Sequence, residues 1–401
     1  MVAGSRYLVV GCGGIGGIVA AGLLHQGLDV TPLSKNELIA DAINLAGIRT
    51  LGEQSLGTLH TTARSSLDDK AAPFDYVLLC TQPPAVEEAT RQVLGHLADD
   101  GRVVVLQNGL CELRVAEIVG AARVIGGVVA WGASMVEPGV YDRTSSGGFT
   151  LGRLEGGRDE RLEALATVLE GIGPVSISDN LLGARWSKLA INCAISALGT
   201  VGGERLGVLM RKRWVRRLAL EIMSEAVEVA RAEGVALEKV SGTLDLDWLA
   251  LTPSERAAGL GSAGLVAKHA LLLAVGTRYR RLRSSMLRAI ERGRPPAVDF
   301  LNGEVVDRGA AHGIATPVNA ALREAVWAIA KHEQKASLPT LRALYEQTMK
   351  RLATSTAPPV SVPPSAEPPS AEAPSPPTEE GPLEPPAEPA GDPQEPPPPS
   401  P

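Results

Sequence analysis

Aromatic residues are scarce in this sequence: Phe, Trp and Tyr together make up 3% of 401 residues. Any core must be filled by Leu, Val, Ile and Ala, and an apolar content of 44% supplies enough of them. Cysteine is sparse too. Cys12, Cys80, Cys111 and Cys193 share no ligand spacing, and the six histidines form no metal motif, so no metal is expected. Cys12 and Cys80 fall in or beside apolar strands, where buried thiols are common, which suits a reduced, cytoplasmic protein. Net charge is small outside one end. Eight acids and no Lys or Arg follow Arg351, so the formal −6 leaves +2 on the first 351 residues. A body so close to neutral lacks the concentrated basic face that nucleic-acid binding needs. Long unbroken apolar runs are missing as well. Tyr7–Leu24 comes nearest, but five of residues 11–17 are glycine, only Arg6 stands before it, and no convincing cleavage site follows. It reads as a buried strand, a turn and a helix rather than a signal peptide or anchor, and no membrane partner is expected.

What is present is an alternation. Tyr7–Val10, Leu28–Leu33, Tyr76–Cys80 and Val103–Leu106 are strand-like, with helical stretches at Ile15–Gln26 and Ala85–Leu97. Gly27 is placed to cap the first helix. Alternation of this kind implies parallel strands with helical crossovers. Val124–Trp131 and the Gly/Ser-rich Tyr141–Gly152 extend the sheet. From about Asn180 the pattern turns helical: Leu182–Ala197, Val215–Ala232, Leu260–Ala274, Val298–His312 and Val318–His332. From Ala357 onward Pro, Ala, Ser and Glu dominate, with 19 of the 30 prolines. Such a segment buries too little apolar surface to offset its chain entropy. The expected fold is therefore α/β, in three parts. Residues 1–178 form an N-terminal Rossmann-type, doubly wound parallel sheet, 179–352 an all-α C-terminal domain, and 353–401 a disordered Pro-rich tail. A solvated tail is the default reading; docking to a proline-recognising partner, itself unidentified, is the other. Homodimerisation is left open.

Gly11-Cys12-Gly13-Gly14-Ile15-Gly16 matches G-x-G-x-x-G between a strand and a helix, the context that motif requires. Gly11 permits the tight turn, Gly13 lets backbone approach a pyrophosphate, and Gly16 lets helix and strand pack closely. The helix start then offers free N–H groups and a partial positive charge to phosphates. NAD enzymes usually carry Asp or Glu at the end of the second strand. Here stand Ser34, Lys35 and Asn36. A carboxylate would repel a 2′-phosphate and Lys35 would attract one, so NADP(H) is the expected cofactor. Thr81-Gln82-Pro83 and Gln107-Asn108-Gly109 follow two further strands. By the parallel-sheet rule they enter the same crevice, which makes Gln82 and Asn108 cofactor-side candidates, although Asn-Gly is also a common turn.

Four stretches together resemble the ketopantoate reductase (2-dehydropantoate 2-reductase) family over roughly residues 5–350. They are the glycine motif, Gln107-Asn108-Gly109, the block Arg185–Cys193 with its W-x-K-x-x-x-N-C pattern, and Ser284-Ser285-Met286-Leu287 followed by Asp299–Gly303 and Ala311–Pro317. The resemblance implies a Rossmann domain, a helical domain and an active site between them. It implies hydride transfer from NADPH to the C2 carbonyl of ketopantoate, a small 2-oxo acid, giving pantoate. The family's key lysine matches Lys188, which is expected to be catalytic. Asn192 lies one turn on along the same helix face and is expected at the substrate with Ser285 and, more weakly, Ser196. The family's nicotinamide-side asparagine matches Asn108, and its 2′-phosphate arginine falls near Lys35. Trp186, Asp299, Asn302 and His312 are read as structural. Four positions depart from the family: Gln82 replaces a lysine, Ser196 and Leu282 replace asparagines, and Ala297 replaces the glutamate that works with the lysine. These departures point to an altered pocket. The alternatives are a related NADPH-dependent reductase of another 2-oxo acid and a catalytically silent NADP(H)-binding protein.

Overall fold

A computed structural model describes residues 4–53, 55–68, 71–240, 244–257 and 262–355. The tail expected over 353–401 lies outside these residues from 356 onward. The first half of the chain runs β1 (Arg6–Val10), α1 (Gly14–His25), β2 (Asp29–Leu33), α2 (Glu37–Ala46), β3 (Ile48–Gly52), β4 (Thr58–Leu59), β5 (Phe74–Leu79) and α3 (Val86–Val93). It continues through β6 (Leu97–Val105), α4 (Cys111–Val119), β7 (Val124–Val129), β8 (Ala133–Glu137), β9 (Val140–Arg143), β10 (Phe149–Arg153), α5 (Glu160–Glu170) and β11 (Val175–Ile177). Seven strands form one sheet in the order β11-β10-β7-β6-β5-β1-β2. From β2 to β7 all pairings are parallel; β10 runs antiparallel to β7 and parallel to β11. Near-continuous Val and Leu runs suit such strands because helices cover both faces. Tyr7 and Tyr76 stack at 5.2 Å, and Leu8, Val9, Val77, Leu78 and Leu79 are fully buried. The chain leaves β1 for β2 on one side and reaches β5 on the other. The crevice between the ends of β1 and β5 is thus a topological switch point, where open α/β sheets bind ligands.

A second sheet, β4-β3-β9-β8, packs on α1; it was not among the expected elements. It splits the expected strand Tyr141–Gly152 in two: β9 belongs to the small sheet and β10 to the large one. The crossing is made at Gly147, whose φ of 148° excludes an ordinary side chain, and at Gly148, where a Cβ would strike the Pro174 carbonyl. The expected helix Ala85–Leu97 is also shorter, because Leu97 already starts β6, pairing with Phe74.

The second half holds α6 (Leu181–Gly202), α7 (Leu206–Arg211), α8 (Arg213–Ala232), α9 (Leu246–Leu249), α10 (Pro253–Ala257) and α11 (Ala263–Arg278). After these come α12 (Ser285–Glu291), α13 (Asn302–Ala311), α14 (Pro317–Ala330) and α15 (Leu338–Ser355). Helix α6 is its axis, packed by α8, α14, α15 and α12. The Asn180 side chain accepts from Gly183 N at 3.0 Å to start it, and Gly203 ends it in the left-handed region. The buried Glu225 carboxylate accepts from Val318 N and Asn319 N at 2.8 and 2.9 Å, satisfying donors at the start of α14. The helix expected over Val298–His312 is broken at Leu301, where φ and ψ are −120° and −96°. The break lets Asn302 turn inward to donate to Asn319 and the Cys193 carbonyl. Asp299 accepts from Arg323 and Trp327, and His312 closes the end of α13. Among the described residues no helix is long and apolar enough to cross a membrane.

Candidate active site

The glycine loop is shaped from three sides. Gly11 has φ +96°, and a Cβ there would lie 2.9 Å from Thr81 N, so this position demands glycine. Gly11 N donates to the Leu33 carbonyl at 2.8 Å, and Tyr141 Oη donates to the Cys12 carbonyl at 3.0 Å. A Cβ on Gly16 would collide with the Gly11 carbonyl, so the helix could not sit this close to the strand. Gly13 differs: it is exposed, and nothing lies within 4 Å of where its Cβ would be. It opens α1 with no side-chain cap and no acid in the first turn. The first-turn N–H groups of Gly14, Ile15 and Gly16 therefore remain available to an anion. Gly14 and Gly17 have a packing duty as well, because a Cβ would strike Ala133 at the first and the Tyr141 ring at the second. These residues fit a dinucleotide pyrophosphate: an open backbone cradle, uncapped donors and no negative charge.

At the end of β2, Lys35 is exposed and its ammonium pairs with Glu88 Oε1 of α3 at 2.6 Å. A residue that sequence reasoning missed stands beside it. Arg64 N donates to the Pro32 carbonyl and Ser34 N to the Arg64 carbonyl, both at 2.9 Å. This fixes Arg64 against the outer edge of β2, with its side chain exposed and unpartnered among the described residues. Nothing in the spacing of residues 53–73 signals this, because the contact depends on a non-local bridge between Leu33 and Arg64. Gln82 is exposed in the loop after β5, and its side chain has no hydrogen bond among the described residues. Its neighbour Thr81 accepts from Gln107 Nε2 at 3.0 Å, which ties the β5 and β6 loops together.

The two lobes meet over the ends of β6 and β7. Lys188 Nζ donates to the carbonyl of Val129, the last residue of β7, at 2.7 Å. Among the described residues no carboxylate pairs with it. Burial, and then the charge of Arg185, lower its pKa from 10.5 to about 7. One turn on, Asn192 Nδ2 donates to Asn108 Oδ1 at 3.3 Å. Lys188, Asn192 and Asn108 are thus brought to the same seam, at the strand ends that also carry the glycine loop.

Arg185 makes that seam and has no solvent exposure to speak of. Its guanidinium donates to the Val105 and Gln107 carbonyls at 2.8 Å each and pairs with buried Glu112. Its position three residues before Lys188 was visible in the sequence; its reach to β6 was not. Gly109, at φ +91°, lies so close to the other lobe that a Cβ would sit 2.5 Å from the Phe300 carbonyl. Arg114 of α4 stacks on Phe300 and pairs with Glu304.

Further along α6, Ser196 is half-buried, and its carbonyl accepts from Ser284 Oγ at 3.0 Å. Ser284 also pairs with Thr200 at 2.8 Å and caps α12 by accepting from Leu287 N. Ser285 is the exposed first residue of α12, placed beside Ser196 by that contact. Lys188, Asn192 and Ser196 therefore form one stripe on α6, and Ser285 stands near its far end. Trp186 is fully buried in the helical core. All four cysteines are free, and burial pushes their thiols up, Cys12 to about 12, so none is a thiolate at neutral pH. Among the described residues no three His, Cys, Asp or Glu side chains could hold a metal ion.

Comparison with known proteins covers both lobes. A family model described as ketopantoate reductase PanE/ApbA matches residues 7–156, and one described as ketopantoate reductase PanE/ApbA C terminal matches residues 180–330. The 2-dehydropantoate 2-reductase of Pyrococcus horikoshii is 26% identical over 331 residues, 82% of this chain and 97% of that relative. The 2-dehydropantoate 2-reductase of Halobacterium salinarum is 29% identical over 325 residues, 80% of this chain and 97% of its own. Among solved structures, a PanE/ApbA family ketopantoate reductase from Ralstonia eutropha JMP134 superposes with a TM-score of 0.68 at 25% identity, covering 82% of this chain and 100% of its own. D-mandelate dehydrogenase, solved with NADH and anilino(oxo)acetate, shares the fold at a TM-score of 0.68 and 19% identity, covering 82% and 99%.

Proposed function

The chain belongs to the ketopantoate reductase family, a family of oxidoreductases acting on CH–OH and ketone groups, and from that premise we propose that it uses NADPH to reduce the C2 carbonyl of a small 2-oxo acid. 2-Dehydropantoate, the substrate named for its relatives, is the first candidate. The observation that carries this reading is the convergence of Lys188 and Asn192 from one lobe with Asn108 from the other, beside an uncapped glycine loop. A reduced nicotinamide bound there would supply the hydride.

The residues of the chain do the rest. Hydride arriving at a carbonyl carbon leaves negative charge on oxygen, which needs a cation and then a proton. Lys188 holds that proton at Nζ. Its lowered pKa makes the ammonium a readier acid than an ordinary lysine while leaving it substantially protonated near pH 7. As the proton passes to the alkoxide, the neutral amine that remains is the form its surroundings favour. Asn192, Ser196 and Ser285 are assigned to the substrate carboxylate and hydroxyl, and Asn108 to the nicotinamide side. Fixing these partners lowers the barrier by orientation alone. The 2′-phosphate is assigned to Lys35 and Arg64, the two cations at the end of β2.

A second reading, reduction of a different 2-oxo acid, is favoured by Ala297 and Leu282, which put apolar side chains where the family resemblance implies polar ones. The test is NADPH oxidation followed at its absorbance band with 2-dehydropantoate and a panel of 2-oxo acids. Turnover on 2-dehydropantoate that Lys188→Met abolishes is expected. Best turnover on another acid would select the second reading, and no turnover on any acid would defeat both.

A further inference from the structure

A second charged feature lies outside this site, on the helical lobe. Between α7 and α11 opens a recess of about 250 Å³, walled by Arg205, Arg211, Arg280 and Arg281, with Val208 and Leu273 at its lip. Two glycines bring these walls together. A Cβ on Gly207 would lie 2.9 Å from Arg280 Cα, and one on Gly276 would run into Met210. Helix α7 therefore packs closely on α11 and on the turn that follows it, and the flanking arginines line one opening.

Several other arginines of the lobe are neutralised: Arg217 by Glu221, Arg231 by Asp247, Arg256 by Glu228 and Arg308 by Glu233. Among the described residues, none of the four recess arginines has a carboxylate partner. Positive charge is also felt on α11 itself. On α11 the buried His269 is held down to about 4, first by burial and then by Arg216, Arg213 and Arg217. Four arginines without carboxylate partners lining one recess concentrate positive charge there, which an anion would offset. The guanidinium fork matches phosphate oxygens two at a time. The size narrows the ligand further. Pockets for drug-sized organic ligands run from about 300 Å³ upward, so this recess suits a compact, multiply charged group.

We propose that the α7–α11 recess is a binding site for the diphosphate group of a small molecule, separate from the dinucleotide crevice. The probes are inorganic pyrophosphate and ADP, titrated calorimetrically into the full chain at low ionic strength, with sulfate as the competitor. Saturable one-to-one binding of pyrophosphate is expected, resisting a tenfold excess of sulfate. Arg205→Gln with Arg280→Gln should weaken it at least tenfold, and Arg211→Gln with Arg281→Gln likewise. Both variants should keep the wild-type thermal midpoint and NADP⁺ affinity, which separates the recess from the glycine loop. ADP binding equal to pyrophosphate means that the phosphate chain alone is read; tighter ADP binding adds a contact at Val208 and Leu273. No saturable heat, displacement by sulfate at equal concentration, or unchanged binding in both variants would overturn the proposal.

Discussion

Lys188 turns a structural feature into a measurable pH dependence. Its amine is withdrawn from water and lies near the buried Arg185 guanidinium, and the two effects bring its pKa from 10.5 to about 7. The sign is that of a base whose charged form is disfavoured, so the proton leaves as pH rises through the midpoint. If the ammonium is the proton donor, kcat/KM for the oxo acid is flat below the midpoint and falls tenfold per pH unit above it. Between pH 7 and 9 the protonated fraction drops from about one-half to about one-hundredth, a loss of about fifty-fold. Coenzyme phosphates would raise the midpoint, since opposite charge favours the ammonium, so the window expected under saturating NADPH is roughly pH 7 to 8.5. An unperturbed lysine would hold the plateau beyond about pH 9.5. The assay is NADPH oxidation across pH 6 to 10 in buffers of constant ionic strength, with Lys188→Met and Lys188→Arg in parallel. A plateau reaching pH 9.5, or a Lys188→Met protein that keeps the wild-type profile, would refute the role of this amine.

Removing the buried cation by Arg185→Met leaves Glu112 uncompensated in an apolar setting and should cost about 3–5 kcal/mol in urea unfolding; a loss below about 1 kcal/mol would contradict that reading. Two glycines in the same helix turn should part company. Gly13→Ala, with open space for its methyl group, should keep the thermal midpoint and lose coenzyme affinity, whereas Gly17→Ala, blocked by Tyr141, should lower the midpoint. Equal effects in both assays would mean that the loop is not a phosphate cradle. At the end of β2, Lys35→Ala and Arg64→Ala should each weaken NADPH about tenfold, about 1.4 kcal/mol, and leave NADH nearly unchanged. Glu88→Gln, which frees Lys35 from its ion pair, should tighten NADPH; fluorescence titration with both coenzymes decides.

Local signals and non-local contacts divide what could be read beforehand. The glycine turn was legible because φ at Gly11 and the close approach at Gly16 are demands of the chain within a few residues. The helix face shared by Lys188, Asn192 and Ser196 follows from the α-helical period, and Asn108 from its place after an apolar strand. What escaped notice depends on distant partners. The small sheet is assembled from Ile48–Gly52 and Val140–Arg143, nearly a hundred residues apart. The packing duties of Gly14 and Gly17 also depend on distant partners, Ala133 and Tyr141. The pairing of Lys35 with Glu88, the edge position of Arg64 and the partners of Arg185 are invisible to spacing for the same reason. The break at Leu301 was hidden because the stretch is apolar at helical intervals, while a buried asparagine and the backbone of Gly109 impose the bend.

The Arg185 strut also limits how this molecule can move. A guanidinium that grips the last carbonyl of β6, a carbonyl of the loop after it and a buried carboxylate leaves little slack between the axial helix and the sheet beneath it. Hinge opening at that point would leave three polar groups without their partner in an apolar setting, which opposes any widening of the gap above Lys188. On that footing ligands would enter a gap already formed. Selectivity would then follow from the dimensions of a rigid slot rather than from a jaw that closes around its guest.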